Sequence, residues 1–212
     1  KYHFPAYVTL RAAAGKGYRT ANALAENSNV LASSRAVFIQ NNNIQEEAWN
    51  YGLSIVNELP VAGDDLILSL DYFRTDFTHQ LVVDFDQSTR AVHFYNLNGK
   101  SYSNSMQAEL SYRLFKQIEL TAAWRYNLVR QTLNNQLLEV PFMSNQKGLV
   151  TASYRTKMEK WQFDINLQYF GSQRIPSTVE NDLENERPLK SNPYTLLRSE
   201  EHTSELQSPN TI

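Results

Sequence analysis

Residues 161–170 read WQFDINLQYF, and the alternation in this stretch decides the fold. Trp161, Phe163, Ile165, Leu167 and Tyr169 are apolar. Gln162, Asp164, Asn166 and Gln168 between them are polar, and only Phe170 breaks the order. Successive side chains of a β-strand point to opposite faces, so the stretch predicts a strand with one greasy face and one wet face. That greasy face must meet either the core of a soluble sandwich or the hydrocarbon of a bilayer.

The period of two recurs along the chain. In 118–129 the even positions Ile118, Leu120, Ala122, Trp124, Tyr126 and Leu128 are all apolar or aromatic, while Glu119, Thr121, Arg125 and Asn127 alternate with them. The same holds for Met106, Ala108, Leu110, Tyr112 and Leu114, for Leu66, Leu68, Leu70 and Tyr72, and for Val150, Ala152 and Tyr154. The Leu, Ala, Glu, Gln and Arg content of 106–130 also suits a helix. A helical stripe through Leu110, Leu114 and Ile118 would, however, be interrupted by Arg113, Gln117 and Arg125, so period two fits better.

The connectors choose between sandwich and bilayer. Lys116 and Gln117 alone separate two of the strands, PVAGDD (60–65) separates another pair, and TKMEK (156–160) a third. The others are long and polar: most of 20–47, a stretch turning at DQSTR (86–90), 131–147 and 172–193. Short and long connectors alternate, so one end of a meander carries turns and the other carries loops. Outer-membrane barrels have this asymmetry, with short periplasmic turns and longer extracellular loops. Strand length agrees, since the clean alternation runs for about 9–11 residues, the length that tilted bilayer strands need. From Trp161 to Tyr169 the rise is about 26 Å at ~3.3 Å per residue. Trp49, Tyr51, Trp124 and Tyr126 lie near the loop end, and Tyr112 and Tyr154 near the turn end, as aromatic residues do at lipid–water interfaces. The fold class is therefore all-β: an antiparallel up-and-down meander forming part of a transmembrane β-barrel, with about seven strands and the start of an eighth. The alternative is a soluble or surface β-sandwich that binds carbohydrate, its apolar faces buried between two sheets with Greek-key crossings.

Composition narrows the function. The 212 residues carry a net charge of −2, which leaves no bulk basic footprint for nucleic acid. The absence of cysteine removes disulfides, zinc–thiolate sites and cysteine nucleophiles. No run of eighteen apolar residues predicts a transmembrane helix. The start, KYHFPAYVTL, has no initiator Met and no apolar signal core, and reads as an internal fragment or a processed product.

Enzyme chemistry finds little footing, and neither a cofactor nor a metal is expected. His3, His79 and His93 lack metal-ligand spacing. Asp84 and Asp86, two apart, would share a strand face and form an acidic rim or help bind a cation. No GxSxG elbow occurs. Gly15-Lys16-Gly17 is too short for a phosphate cradle and suits a bulge or a close backbone approach. Glu109, Arg113, Glu119, Arg125 and Asp164 fall on the polar face and are expected to look into a lumen. Asn41–Asn43, Trp49, Phe142 and Met143 lie in long loops, where ligand contacts concentrate, yet no ligand contact stands out.

Segment YVTLRAAAGKGYRTAN (7–22) resembles a strand that recurs in TonB-dependent outer-membrane receptors, with Leu10, Arg11, Gly15, Gly17, Arg19 and Asn22 in the expected order. EEAWNYGLSI (46–55), with Asn50, Tyr51 and Gly52, is similar to the start of that family's next strand. NSMQAELSYRLFKQIELTAAWRYN and YFGSQRIPS resemble its late barrel strands, especially in Bacteroidota, and PYTLL (193–197) resembles the start of a further strand. The resemblance implies a Gram-negative outer-membrane transporter whose barrel, of about 22 strands, is closed by a plug. It implies outer-membrane lipid, the TonB complex acting through a plug domain absent here, and a scarce cargo as partners: a ferric siderophore, haem, cobalamin or a glycan. Residues 1–197 would be a carboxy-proximal part of that barrel. From Arg198 onward, RSEEHTSELQS resembles a translated sequencing adapter, so 198–212 are expected to be a non-native, disordered tail.

Overall fold

The computed structural model describes residues 2–3, 8–40, 43–61, 64–158, 160–179, 181 and 185–203. In chain order the elements are β1 (Tyr2–His3), β2 (Val8–Asn22), α1 (Ala23–Glu26), α2 (Ser28–Leu31), β3 (Ala36–Ile39), β4 (Asn43–Val61) and β5 (Asp64–His79). They continue with β6 (Leu81–Asp84), β7 (Ala91–Asn96), β8 (Ser101–Phe115), β9 (Ile118–Leu133), β10 (Gln136–Glu139), β11 (Gln146–Arg155), β12 (Trp161–Phe170) and β13 (Tyr194–Thr203).

Most strands form one antiparallel sheet in the order β1-β2-β4-β5-β8-β9-β11-β12-β13, with β10 added as a hairpin on β9. Long strands pair with their neighbours along the chain, so the sheet is a meander, and it is an open one. Residues paired directly across a ladder share a face. Ile165, Ala152 and Leu120 lie in one row, as do Leu167, Val150, Ala122, Leu110 and Leu68. The period of two thus gathers most of the apolar residues of the long strands onto one face, although Val56, Ile67 and Phe73 fall on the other.

Among the described residues no second layer covers that face. Trp161 is 44% exposed, Ile165 52%, Leu167 44% and Val150 50%. A β-sandwich requires these side chains between two sheets, so the sandwich reading is overturned. The polar residues opposite them in β12, Gln162, Asp164, Asn166 and Gln168, are each less exposed than their apolar neighbours. A soluble protein has the reverse pattern.

Two expectations need correction. The connectors within 20–47 and 79–101 are not plain loops. They carry α1, α2 and a second sheet of order β3-β7-β6, in which β3 and β7 run parallel. A compact core of Ala21, Ala23, Val30, Ile44, Leu81, Val92 and Phe94 fixes this unit to the ends of β2 and β4. Likewise 131–147 is largely a hairpin. Asn134 and Asn135 both adopt positive φ, 49° and 61°, as a two-residue hairpin turn of the primed type demands and as asparagine tolerates.

The second correction concerns the tail. Residues 198–203 are paired, not disordered, because β13 continues on β12 as far as the Trp161–Thr203 pair. Ladder hydrogen bonds join backbone groups and ask little of the side chains, so an open strand edge accepts them. Residues 204–212 lie outside the described residues.

Candidate functional site

At the turn end the strands are joined by short connections such as Lys116-Gln117, and at the other end they carry the folded rim. On the apolar face, aromatic side chains two residues apart stack along their strands at both ends. Trp49 lies against Tyr51 (6.3 Å between centroids) and Trp124 against Tyr126 (6.2 Å) toward the rim, while Trp161 lies against Phe163 (6.5 Å) toward the turns. Between these two rows the face is mainly aliphatic, with Asn57 of β4 in the row of Leu68 and Leu110. Two aromatic belts bounding an aliphatic band match a lipid bilayer with its interfaces.

The quoted motif residues divide between the faces. Leu10 and Tyr51 lie on the apolar one, and Arg11, Gly15, Gly17, Arg19, Asn50 and Gly52 on the polar one. The Asn50-Tyr51-Gly52 run has a local reason. Asn50 Oδ1 accepts a bond from Thr75 Oγ1 (2.8 Å), and Tyr51 joins the aromatic belt. Gly52 leaves room for the Phe73 ring, whose Cε1 would lie 2.5 Å from any added Cβ. Gly15 and Gly17 do not mark a bulge. The β2–β4 ladder passes through them in register, and a Cβ at either would meet nothing within 4 Å.

Arg19 and Asn22 act together at the rim. Asn22 caps α1, its Oδ1 accepting from Leu24 N (3.2 Å) and Ala25 N (3.1 Å), while its own N–H donates to Glu26 Oε1 (3.0 Å). This reciprocal arrangement satisfies helix-start donors in the manner of a capping box. The Arg19 guanidinium reaches Glu26 (3.0 Å) and donates to buried Glu46 (2.6 and 2.9 Å). Glu46 also accepts Leu81 N (3.0 Å). One arginine therefore ties β2, α1, β4 and β6 together.

Asp84 and Asp86 do not make a cation site. Asp84, the last residue of β6, is fully buried and accepts Tyr95 OH (2.8 Å) and Asp86 N (2.8 Å). Burial, reinforced by the Asp84 carboxylate, pushes the Tyr95 phenol well above its ordinary range. Asp86 lies beyond β6 and receives both terminal nitrogens of Arg174 (3.0 and 2.6 Å) together with Ser177 N (2.9 Å). That ion pair is almost buried, with side chains 8% and 12% exposed, and it fastens the 172–193 segment to the β6–β7 hairpin. His93 stacks on Phe38 at 5.0 Å, and among the described residues no group of His, Asp and Glu could hold a metal.

Glu109, Arg113, Glu119, Arg125 and Asp164 all lie on the polar face by register, on β8, β9 and β12, with Arg113, Glu119 and Asp164 in one row across the sheet. Arg113 sits 3.8 Å from Asp64, Glu119 3.9 Å from Arg155, and Asp164 accepts from Gln162 Nε2 (2.9 Å). Arg125 is directly opposite Lys147, a like-charged pair. The ties Arg19–Glu46 and Asp86–Arg174 were not foreseen. Their partners lie 27 and 88 residues apart, and no local spacing signals them.

The rim also holds hollows. One, of about 620 Å³, is bordered by the β6–β7 turn and by Pro176, Thr178 and Asn181, and two more, of about 430 and 560 Å³, adjoin it. Phe142 borders all three. It is exposed (57%) and has φ of 62°, a region that bulky side chains rarely adopt.

The comparisons agree with this architecture. No curated protein matches the chain in sequence. Among solved structures, the FpvAI–pyocin S2 complex aligns over 92% of this chain at 15% identity and a TM-score of 0.62. FpvA of Pseudomonas aeruginosa bound to heterologous pyoverdines aligns over 92% at 16% and 0.60, and the ferric enterobactin receptor PfeA of the same organism over 92% at 17% and 0.60. The chain spans only 25% of the first two and 30% of the third, and the likeness is one of fold. A family model described as "TonB dependent receptor-like, beta-barrel" matches residues 1–198, so the chain belongs to the TonB-dependent receptor β-barrel family.

Proposed function

We propose that this chain forms a run of barrel wall in an energy-coupled receptor of the Gram-negative outer membrane, which imports a scarce ligand. Lipid bathes the apolar face. The polar face, with Glu109, Arg113, Glu119, Arg125 and Asp164, lines a lumen. Coupling to the TonB complex runs through a plug domain elsewhere in the receptor, and bare Gly15 and Gly17 leave the wall open to such a neighbour. The cargo belongs to the class carried by such receptors: a ferric siderophore, haem, cobalamin or a glycan. The neighbouring structures bound to pyoverdine and named for ferric enterobactin favour the siderophore. Its role is transport, not catalysis.

One observation carries this reading: the apolar face stays uncovered across successive antiparallel strands. The test is a pair of substitutions on adjacent residues of β12. Ile165→Arg is expected to weaken bilayer insertion by about 2–4 kcal/mol if mid-membrane, whereas Asn166→Arg is tolerated. Insertion into liposomes, read by protease protection, distinguishes them. Equal tolerance at both positions would defeat the lipid assignment.

The same reading assigns residues 1–197 to the receptor and 198–212 to a non-native tail. Support comes from register and from the family match, which stops at residue 198. Beyond it the ladder sets Ser199 beside Ile165 and Glu201 beside Phe163, two polar residues on the face where other strands present hydrocarbon.

A further inference from the structure

The link Leu97-Asn98-Gly99-Lys100 carries the chain from β7 of the rim to β8 of the wall. Both of its ends are held. Leu97 N donates to Gln80 O (2.8 Å). Lys100 is held by Thr132 of β9: its N–H donates to Thr132 Oγ1 (2.9 Å), and its carbonyl accepts from Thr132 N (2.8 Å). The middle of the link is bare. Asn98 and Gly99 are exposed, and among the described residues neither the Asn98 side chain nor the Gly99 N–H has a hydrogen-bond partner.

The short asparagine side chain reaches its neighbouring main-chain groups. Its amide carbon can therefore close a cyclic imide with the nitrogen of the next residue. A side chain on that next residue hinders the closure, and glycine has none. Of the chain's asparagines only Asn98 precedes a glycine. Others are engaged as well as hindered: Asn104 lies inside β8, and Asn22 Oδ1 caps α1.

We propose that Asn98 is a site of spontaneous covalent modification, turning into isoaspartate and aspartate with water as co-reactant, and that this change loosens the joint between rim and wall. Gly99 N attacks Asn98 Cγ. A bond forms between them, the bond from Cγ to the side-chain nitrogen breaks, and ammonia leaves with the proton that Gly99 N gives up. Water then opens the imide, with no oxidation or reduction. Its attack on the main-chain carbonyl carbon of residue 98 leaves Gly99 joined through Cγ, which is isoaspartate. Its attack on Cγ leaves an ordinary aspartate. Both products carry a carboxylate in place of the amide, and isoaspartate also adds a methylene to the main chain. That addition falls at a tight place. Gly99 has φ of 131°, and a Cβ on it would lie 2.6 Å from Thr132 Oγ1. A longer link therefore strains the bonds of Leu97 to Gln80 and of Lys100 to Thr132.

The test incubates the whole chain, refolded in detergent micelles, in warm, mildly alkaline buffer and follows it by peptide mass spectrometry. The peptide holding Asn98 is expected to gain the mass of water less that of ammonia, and fragmentation should find isoaspartate beside aspartate. Asn104 should change at least about tenfold more slowly, since β8 must first open. Asn98→Gln keeps an amide on a longer side chain and should abolish the gain. In the converted fraction, hydrogen exchange at Lys100 and Thr132 should rise. An Asn98 that keeps its amide in the folded chain while the urea-unfolded chain converts overturns the site, as does conversion no faster than at Asn104. Conversion with unchanged exchange at Lys100 and Thr132 overturns the loosening.

Discussion

The wall sheet and the rim unit obey opposite packing rules within one chain. In the wall, large apolar residues such as Ile165 and Val150 are about half exposed. In the rim, Phe94, Val82 and Val92 are wholly buried in the manner of a water-soluble domain. The boundary lies along single strands. β4 begins beside buried Ile44 and Glu46 and runs on to exposed Leu53 and Leu59. Under the proposed membrane setting, solvent rather than chain identity decides what each segment hides: lipid would cover the wall's hydrocarbon, and the rim must cover its own.

The sharpest way to break this comparison is to remove one large residue from each region. Phe94→Ala should destabilise the rim by about 3–5 kcal/mol, since it leaves a cavity in a closed core. Hydrogen exchange should then rise across β6 and β7 while the wall amides stay protected. Loss of protection in both would mean that the two regions fold as one cooperative unit. A smaller effect is expected within the wall. Gly52→Val places methyl groups where the Phe73 ring lies, and the overpacking should cost about 1–3 kcal/mol. Thermal melts in micelles would register it, and adding Phe73→Ala should restore most of the loss.

Smaller again is the cap at the boundary. Asn22→Ala should cost about 1 kcal/mol by freeing the Leu24 and Ala25 donors. Exchange of those amides should speed up first. The weakest effect separates the regions by pH. The Tyr95 phenol is raised in the folded rim, so its contribution is complete below the ordinary phenol range near pH ~10. As pH climbs past that range the unfolded chain gives up this proton first, and rim stability falls. Tyr95→Phe should flatten this part of the alkaline loss in the rim exchange rates and leave liposome insertion unchanged.

These contrasts explain what could be read from residues alone. WQFDINLQYF announces its two faces because a ten-residue strand repeats its period several times. AVFI in β3 has four residues, too few for any period, and its partner β7 begins 55 positions away. The alternation of short and long connectors located the rim, but its inner structure depends on distant contacts such as Asp86 with Arg174. Arg19 and Asn22 were visible as a pattern before their work was. The pattern names side chains, whereas the network needs Glu26, Glu46 and the Leu81 amide brought within reach. Phe142 showed as an apolar loop residue, and its strained backbone is a property of conformation that no composition reports.

β12 holds residues 194–203 along its whole length although the polar and apolar sequence of that partner falls out of step after Leu197. A zipper that closes on main-chain atoms does not proofread its teeth. While the wall is being built, any extended peptide arriving at such a margin can occupy it, and the order in which strands are presented to the edge then becomes a safeguard that side-chain chemistry alone does not provide.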